Sequence, residues 1–305
     1  MSAIAVGTGP GATAPARPRR PASPRALRVT KLAVFYLVLS VVGAIFVAPY
    51  VFAFFGSLKP ESQIYTVPAW VPPTHPSWSN YAHTWGNFSQ VQTDFSTYFY
   101  NTLLVTVCMT VGQVFFSMLA AYAFARMKFP GRDAIFWMYL LTLMVPNIVT
   151  IIPLYTIMDK LHLVNTYWAV FLPYALGTPY TIFLMRQFFR NIPQEVIDAA
   201  KIDGLGDVGV LRRVVVPLSR PVLITAALIA FVFSWNNFLW PLVVTNSQSH
   251  YLLTTGLANF STGPGTGEYL NILLAGSMIT LLPMIVLFIV FNRYIVRSIQ
   301  LTSGR

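Results

Sequence analysis

The chain has 305 residues, of which 55% are apolar and only 10% are charged. Soluble domains carry roughly 25% charged residues, so this composition argues against a soluble protein and indicates lipid as the solvent. The net charge is +11, but the basic residues lie at the ends of apolar runs rather than on one face, which excludes nucleic acid as the expected partner. The single cysteine, Cys108, allows no intrachain disulfide.

The N-terminal segment differs from the rest of the chain. Residues 1–26 are rich in Ala, Pro, Gly and Arg and have no apolar periodicity, which predicts disorder. We therefore expect a disordered basic cytoplasmic tail over residues 1–30, able to lie on anionic headgroups, and a transmembrane domain over 31–305. A cleaved signal peptide is the alternative, but the following apolar run is longer than a signal sequence and lacks a clear cleavage site.

Six apolar runs are long enough to cross a bilayer, which takes about 20 residues per helix. Their approximate bounds are Leu32–Phe55, Tyr98–Ala125, Ala134–Met158, Tyr167–Met185, Pro221–Thr245 and Leu270–Ile295. The predicted fold class is all-α, a polytopic membrane protein with six transmembrane helices. Prolines within the last four runs fit either packing kinks or a bundle around a solvated passage.

Lysine and arginine are distributed unevenly between the two sides of these runs. With six spans, 18 of the 20 basic residues fall on the side of both termini, and only Lys59 and Lys160 fall on the other. The positive-inside rule then places both termini in the cytoplasm. The four histidines fall in external loops and are too scattered to ligate a metal, so no metal site is expected. Tryptophans in the first external loop fit either an interfacial belt or a surface for a partner.

The cytoplasmic segment between the fourth and fifth runs, about 186–220, is unusually long. Pro193 suits the first turn of a helix, Glu195 and Asp198 place negative charge near its start, and Gly204 suits its end. Such a short helix with small residues can lie in a groove of another protein. Ile197 and Ala200 form its apolar side, and Ile202 is a further candidate for that side.

This segment resembles the loop with the Glu-Ala-Ala motif in permeases of bacterial ATP-binding-cassette (ABC) importers. The family pattern is Glu-Ala-Ala, three residues, Gly, nine residues and Ile-x-Leu-Pro, and the same spacing holds here for Asp198-Ala199-Ala200, Gly204 and Val214-Val215-Val216-Pro217. The chain departs conservatively at Asp198, Val214 and Val216. In this family the loop forms a coupling helix, which lies in a cleft of the cytoplasmic ATPase.

The resemblance covers about 32–301 and narrows to the shorter permease of maltose-type carbohydrate importers, on stretches such as Ala199–Gly204 and Phe231–Phe238. It implies a second homologous permease, two cytoplasmic ATPase subunits, an extracellular binding protein and a location in the bacterial inner membrane. Importers of glycerol 3-phosphate or of glycerophosphodiesters look similar, so these substrates are the alternative.

The chain lacks the Gly-x-x-x-x-Gly-Lys-[Ser/Thr] loop that binds phosphates, so we expect no enzymatic activity and no cofactor in it, with ATP and Mg bound by the partner ATPase. By the resemblance, the alanines of the loop supply close packing, the aspartates charge pairing, the glycine a turn and the proline the re-entry into the membrane. The expected coupling residues are Glu195, Asp198, Ala199, Ala200, Asp203, Gly204 and Pro217.

The fifth run offers a candidate substrate path, in which aromatic rings lie beside amides. Sugars present apolar CH faces and many hydroxyls, and polar groups in a span usually face the bundle interior. The candidate residues are Phe231, Trp235, Asn236 and Asn237. Helix packing is the alternative role for them, and the partner permease is an alternative holder of the substrate.

Two other classes are weighed against an importer permease. A secondary transporter or channel would show ionisable residues at mid-membrane or a filter-like loop. A membrane enzyme would show a His, Asp, Glu or Ser/Lys constellation within the spans. Neither feature is visible in the sequence.

Overall fold

The computed structural model describes residues 24–86, 95–262 and 269–303. All regular secondary structure within these ranges is helical, which confirms the all-α prediction. The chain divides into two units, Met1–Val51 and Phe52–Arg305. Up to residue 23 the predicted disordered tail lies outside the described residues, and its part from Pro24 to residue 30 is helical.

The α-helices of the described ranges vary from single turns to 34 residues. They are α1 (Pro24–Ser57), α2 (Glu61–Ile64), α3 (Ser79–Trp85), α4 (Phe95–Arg126), α5 (Arg132–Leu141), α6 (Asn147–Lys160), α7 (Tyr167–Ala175), α8 (Pro179–Arg190), α9 (Gln194–Ile202), α10 (Asp207–Val210), α11 (Val216–Leu218), α12 (Arg220–Trp235), α13 (Leu239–Val244), α14 (Leu253–Thr262) and α15 (Leu270–Ser303).

Candidate membrane spans are of two kinds in the described part of the chain. Two bent pairs qualify only when taken together: Arg132–Met144 with Asn147–Lys160, bent by 105°, and Asp207–Leu218 with Arg220–Trp235, bent by 83°. Counting each bent pair as one span gives six, and leaving them out gives four. The four segments that qualify alone are Arg28–Ser57, Phe95–Arg126, Tyr167–Arg190 and Leu270–Phe291.

The first unit contains most of α1, whose large apolar side chains from Val29 to Val51 are exposed. Ile45 is 67% exposed and Phe46 is 71% exposed. A helix that is apolar all round and exposed in water would be unfavourable, whereas the same surface suits lipid. This segment therefore has the surface of a membrane-spanning helix.

The predicted third span is a broken helix, and the break follows from Pro146. This proline has no N–H to donate to the carbonyl of Thr142 four residues earlier. That carbonyl accepts a hydrogen bond from the Val145 N–H instead, at 3.2 Å, in a short 3₁₀ turn over Thr142–Met144. The chain then changes direction before α6 begins.

The predicted fourth and fifth spans are interrupted as well. Between α7 and α8 the backbone passes through Gly177, whose φ of +102° is in the left-handed region that favours glycine. Between α12 and α13 the carbonyl of Asn237 has no helical donor, because Pro241, in the first turn of α13, has no N–H. The Thr254 hydroxyl donates to that carbonyl at 2.7 Å, so a side chain replaces the lost helical hydrogen bond.

The core of the second unit is built around α4, which packs against α7, α8, α12 and α14. One buried cluster joins its C-terminal half to α5, α8 and α9, around Phe136 and Phe189. A second cluster includes Val170 and Trp240, and a third includes Trp235. Buried side chains thus follow α4 from end to end.

A buried lysine organises the segment after α1. The ammonium of Lys59 donates to the carbonyls of Val67 at 3.0 Å and Pro68 at 2.8 Å. Its own carbonyl accepts from the amides of Asn80 at 2.8 Å and Asn271 at 3.3 Å. Burial lowers the pKa of the Lys59 side chain. These contacts fix the segment between α1 and α3 to α3 and α15.

Candidate functional site

The long loop between α8 and α12 contains a helix, α9, with defined ends. Pro193 precedes it in an extended conformation, and Gly204 ends it with a φ of +85°. The Gly204 N–H donates to the carbonyl of Lys201 at 3.0 Å, and the Leu205 N–H donates to that of Ala200 at 3.1 Å. This is the Schellman arrangement, which satisfies the last carbonyls of a helix and requires a left-handed residue.

The two sides of α9 differ in burial. Ile197 is 2% exposed and Ala200 is 7% exposed, and both belong to the buried cluster around Phe189. Of the two alanines in the motif, therefore, Ala200 packs within the chain and only Ala199 faces outward. The opposite side is exposed and carries Glu195, Asp198, Ala199 and Asp203.

The exposed side of α9 also carries unusual apolar surface. Ile202 at its end is 86% exposed, and Val208 in the next turn is 80% exposed. Within the described ranges no ion pair engages Glu195 or Asp203. This side of the loop therefore presents two exposed aliphatic side chains together with carboxylates.

Arg186 of α8 binds the C-terminal end of α4. Its Nε donates to the carbonyl of Phe124 at 3.1 Å, and its Nη2 donates to the carboxylate of Asp133 at 3.0 Å. The guanidinium lies 3.8 Å from the centre of the Phe136 ring. A cation beside the last carbonyls of a helix is favoured by the helix dipole, and its position over an aromatic face adds to this.

Arg126, the last residue of α4, binds in return to the end of α8 and to the start of α9. Its guanidinium donates to the carbonyls of Phe189, at 2.6 Å from Nη2, and of Ile192. Its Nη1 donates to the side chain of Gln194 at 2.9 Å, and Gln194 in turn donates to Asp198 at 2.9 Å. We call Arg126 and Arg186 the arginine pair, because each caps the helix on which the other resides.

The sequence does not predict the contacts of the arginine pair. In the sequence these two residues contribute only to the count of basic charge that indicates topology. The available signal is their position at the ends of two apolar runs, where cations near free carbonyls are favoured. That signal does not say which helix each guanidinium reaches. The pairing depends on α4 and α8 ending side by side.

The segment from α9 to α12 continues with further turns. Lys201 pairs with Asp207 at 3.2 Å, which joins α9 to α10. Residues Leu211–Val215 form a π-helical turn, a rare element that is frequent at functional sites. Pro217 is exposed in α11, at the place where the chain turns by 83° into α12.

The candidate substrate-path residues do not share one surface. The rings of Phe231 and Trp235 are stacked at 5.7 Å, and the Trp235 indole is buried and donates to the carbonyl of Thr280 at 3.1 Å. Asn236 is exposed, and its amide donates to the carbonyl of Val232 at 2.8 Å. Asn237 is half-buried in the break after α12. Trp235 thus joins α12 to α15, and Asn236 remains the most accessible of the four.

A known protein family matches the part of the chain that contains the candidate site. The model of the family described as the binding-protein-dependent transport system inner membrane component matches residues 113–301, which is more than half of the chain and includes α9 and the arginine pair. The chain belongs to this permease family. Membership confirms the resemblance found in the sequence, and the permease is accordingly an inner membrane component with several apolar helices.

Two curated relatives cover most of this permease. An arabinooligosaccharides transport system permease protein of Halalkalibacterium halodurans is 39% identical over 219 residues, which is 71% of this chain and 77% of the relative. An sn-glycerol-3-phosphate transport system permease protein of Yersinia enterocolitica is 31% identical over 273 residues, which is 88% of this chain and 96% of the relative.

Solved structures share the fold of the permease. A chain of a bacterial ABC transporter involved in the import of the acidic polysaccharide alginate matches with a TM-score of 0.80 and 21% identity, over 90% of this chain and 99% of that one. A chain of a bacterial alginate ABC transporter in complex with an alginate pentasaccharide-bound periplasmic protein matches with a TM-score of 0.62 and 12% identity, over 88% and 95%.

Proposed function

We propose that this chain is a permease subunit of an ABC importer that moves a carbohydrate, delivered by an extracellular binding protein, across the bacterial inner membrane. Family membership supports the role in binding-protein-dependent transport. The arabinooligosaccharide relative, which is the more identical of the two, supports a sugar as the substrate. A second, homologous permease would complete the translocation path.

The membrane topology in this proposal has six spans over residues 31–305, with both termini cytoplasmic. It counts the broken α5–α6 pair as the third span and α12 with α13 as the fifth, and it leaves the bent segment Asp207–Leu218 before α12 on the cytoplasmic side. The basic residues support it, because 18 of 20 then lie on the cytoplasmic side. In this arrangement α9 and the arginine pair lie on the cytoplasmic side, and the Lys59 network lies outside.

In the proposed mechanism, α9 is the coupling helix and transmits the motion of two ATPase subunits. ATP and Mg would bind those partner chains, since this chain has no phosphate-binding loop. The exposed side of α9 supports such docking, with Ala199 allowing close approach and Glu195, Asp198 and Asp203 offering charge. The buried side, with Ile197 and Ala200, joins α9 to the membrane helices.

The arginine pair would carry displacement of α9 into the bundle. Arg126 bonds the carbonyl of Ile192, two residues before α9, and the side chain of Gln194, the first residue of α9, so a shift of this helix pulls on the end of α4. Arg186 binds α8, from which α9 follows, to the same end of α4. Because α4 packs against α7, α8 and α12, its displacement reaches most of the second unit.

Gly204 offers a test of the coupling role. Replacement by leucine forces a side chain onto a residue with φ +85°, which costs about 1–2 kcal/mol locally, and places its bulk beside the proposed ATPase surface. In proteoliposomes with the full transporter, we expect Gly204→Leu to lower sugar uptake by about tenfold or more while ATP hydrolysis continues, a ratio that corresponds to about 1.4 kcal/mol.

Gly206→Leu is the matched control, since this glycine has a φ of −71° and open space around its α-carbon. It should retain most uptake. Full uptake by the Gly204→Leu variant would contradict the coupling role of this helix end.

Glycerol 3-phosphate or a glycerophosphodiester is the second candidate substrate, favoured by the relative that covers 88% of this chain. Competition for uptake between a neutral oligosaccharide and glycerol 3-phosphate distinguishes the two. We expect the sugar to compete and the phosphate ester not to.

A further inference from the structure

A cavity of about 700 Å³ lies where the break between α5 and α6 meets the break between α7 and α8, with α4 and α12 as further walls. Its size is within the range of small-molecule sites, roughly 300–1,000 Å³. Pro146 lies at one break and Gly177 at the other, and both line the cavity. Non-helical backbone at membrane depth is tolerated where it lines such a space or is buried in protein.

Gln113 of α4 is the most buried amide on the wall, at 4% exposure. Its Nε2 donates to the hydroxyls of Thr178 at 3.0 Å and Thr181 at 2.8 Å. Its Oε1 is buried and accepts no hydrogen bond from the described residues. A buried acceptor without a donor is costly, and in native proteins it usually has a role that compensates for the cost.

Gln113 belongs to a polar stripe along α4, formed by Thr106, Thr110, Gln113 and Ser117. Their spacing of four, three and four residues places them on one side of the helix. Beyond the Gln113 oxygen, the hydroxyls of Thr110 and Ser117 are also buried with no partner among the described residues. Polar groups inside a span usually face the bundle interior and mark a pathway.

The remaining lining combines neutral polar groups with aromatic rings. Tyr174 and Phe233 meet edge to face at 5.6 Å and form one side. None of the described residues that line the cavity is Asp, Glu, Lys, Arg or His. The other polar side chains on the wall include Tyr139, Thr142, Asn147, Thr150, Thr178 and Tyr180.

We propose that this cavity is a substrate subsite within this chain, that it takes a neutral sugar residue, and that Gln113 positions the Thr178 hydroxyl that lines it. The inference deepens the proposed function and rests on it. Sugar CH faces suit the rings of Tyr174 and Phe233, and sugar hydroxyls suit the amides and hydroxyls opposite. A phosphate ester would enter without a cation to pair with, which is unfavourable in this environment.

The subsite lies on the opposite side of α12 from the buried Trp235. Phe233 and Ala230 of this helix line the cavity, whereas Trp235 packs towards α15. The substrate contact on α12 is therefore assigned to Phe233 rather than to the stacked pair of Phe231 and Trp235.

The test uses the full transporter in proteoliposomes, with its binding protein outside and ATP inside. The probes are labelled arabinotriose, maltose and glycerol 3-phosphate. For the sugar that the wild type imports, we expect Gln113→Leu to lower uptake at subsaturating concentration about tenfold, since the hydroxyls of Thr178 and Thr181 lose the amide that positions them. ATP hydrolysis stimulated by the binding protein should continue. Gln187→Leu makes the same change at an exposed position of α8 and should leave uptake unchanged.

A labelling experiment reads the site directly and does not depend on Gln113→Leu folding. In a Cys108→Ser background, Asn147→Cys places a thiol on the cavity wall and Val149→Cys places one at a 62% exposed position outside it. The imported sugar should slow the reaction of the first thiol with a small neutral thiol reagent several-fold. It should leave the second unchanged.

The outcomes separate this inference from the proposed function. If the wild type imports none of the probes in an ATP-dependent manner, the proposed function fails. If it imports a sugar but neither Gln113→Leu nor sugar protection of Asn147→Cys has an effect, only the subsite is overturned. Import of glycerol 3-phosphate, with protection of Asn147→Cys by that ester, would overturn the neutral substrate class.

Discussion

The two ends of α4 are held by different chemistry. At the C-terminal end, Arg126 and Arg186 bind free carbonyls of α4, of α8 and of Ile192 before α9 with charged guanidinium groups. Near the N-terminal end, Asn101 donates to the carbonyls of Ser249 and Tyr251 at 2.8 and 3.0 Å, with neutral groups throughout.

The difference follows from where cations are tolerated and favoured. Carbonyls at helix C-termini carry partial negative charge, and arginine satisfies several of them at once. On the proposed topology that end is cytoplasmic, where basic residues also orient the chain. The arginine pair thus joins the ends of α4 and α8 through charged groups, whereas the Asn101 amide joins α4 to the loop before α14 through neutral groups. The following variants test this contrast.

The largest effect is expected for Arg186→Leu. The change removes the ion pair with Asp133, the bond to the Phe124 carbonyl and the contact with the Phe136 ring. Because Asp133 is itself exposed, we expect a loss of about 2–3 kcal/mol rather than the full cost of breaking a buried pair. Thermal unfolding of the purified transporter measures it. Arg190→Leu, at an exposed position of the same helix, should change the midpoint little, and equal effects would contradict a special role for Arg186.

Arg126→Gln should act on coupling more than on stability. It disconnects the carbonyls of Phe189 and Ile192 and the Gln194 side chain from the end of α4. We expect the ratio of sugar uptake to ATP hydrolysis in proteoliposomes to fall about tenfold, about 1.4 kcal/mol. Arg132→Gln is the control, because this half-buried arginine donates to the Met127 carbonyl and the Asp133 carboxylate, in its own loop and turn. An unchanged ratio for Arg126→Gln would show that α4 does not carry the displacement.

Asn101→Ala tests the other end and should have the smallest effect. It leaves the carbonyls of Ser249 and Tyr251 and the Tyr167 hydroxyl without this partner, at a cost of about 1 kcal/mol in stability. The ratio of uptake to ATP hydrolysis should stay at the wild-type value. Ser249→Ala retains the backbone carbonyl and should be milder in thermal unfolding. A loss of coupling in Asn101→Ala would remove the contrast between the two ends.

Much of the candidate site was predictable because local chemistry specifies it. Gly204 ends α9 in the left-handed region, as a glycine after such a helix indicates. The two alanines of the motif differ in burial, which the sequence does not predict. The resemblance predicts close packing for both Ala199 and Ala200, and the structure buries Ala200 within the chain. A one-residue step on a helix turns the side chain by about 100°, so the two adjacent alanines point in different directions, and here only Ala199 is exposed.

The substrate path was less predictable. Phe231 and Trp235 have the residue types of a sugar site, but composition alone does not say which side of α12 faces the interior cavity. The structure places Phe233 there and turns Trp235 towards α15. The sequence does not predict a role for Gln113, because a single amide in an apolar run is a weak indication of a binding site.

The sequence by itself determined that the chain lies in a lipid bilayer, that it is helical, that its basic residues fall on one side and that its long loop carries the motif. These features can be read from the length of apolar runs, the count of basic residues and the position of single glycines, all of which are local. Only the tertiary structure decided where helices break into a cavity, which carbonyls the arginine pair reaches and which alanine stays exposed. Those features depend on residues far apart in the chain meeting in space. The distance between Gln113 and Thr181, or between Arg126 and Ile192, is set by packing against α4, and no local pattern encodes it.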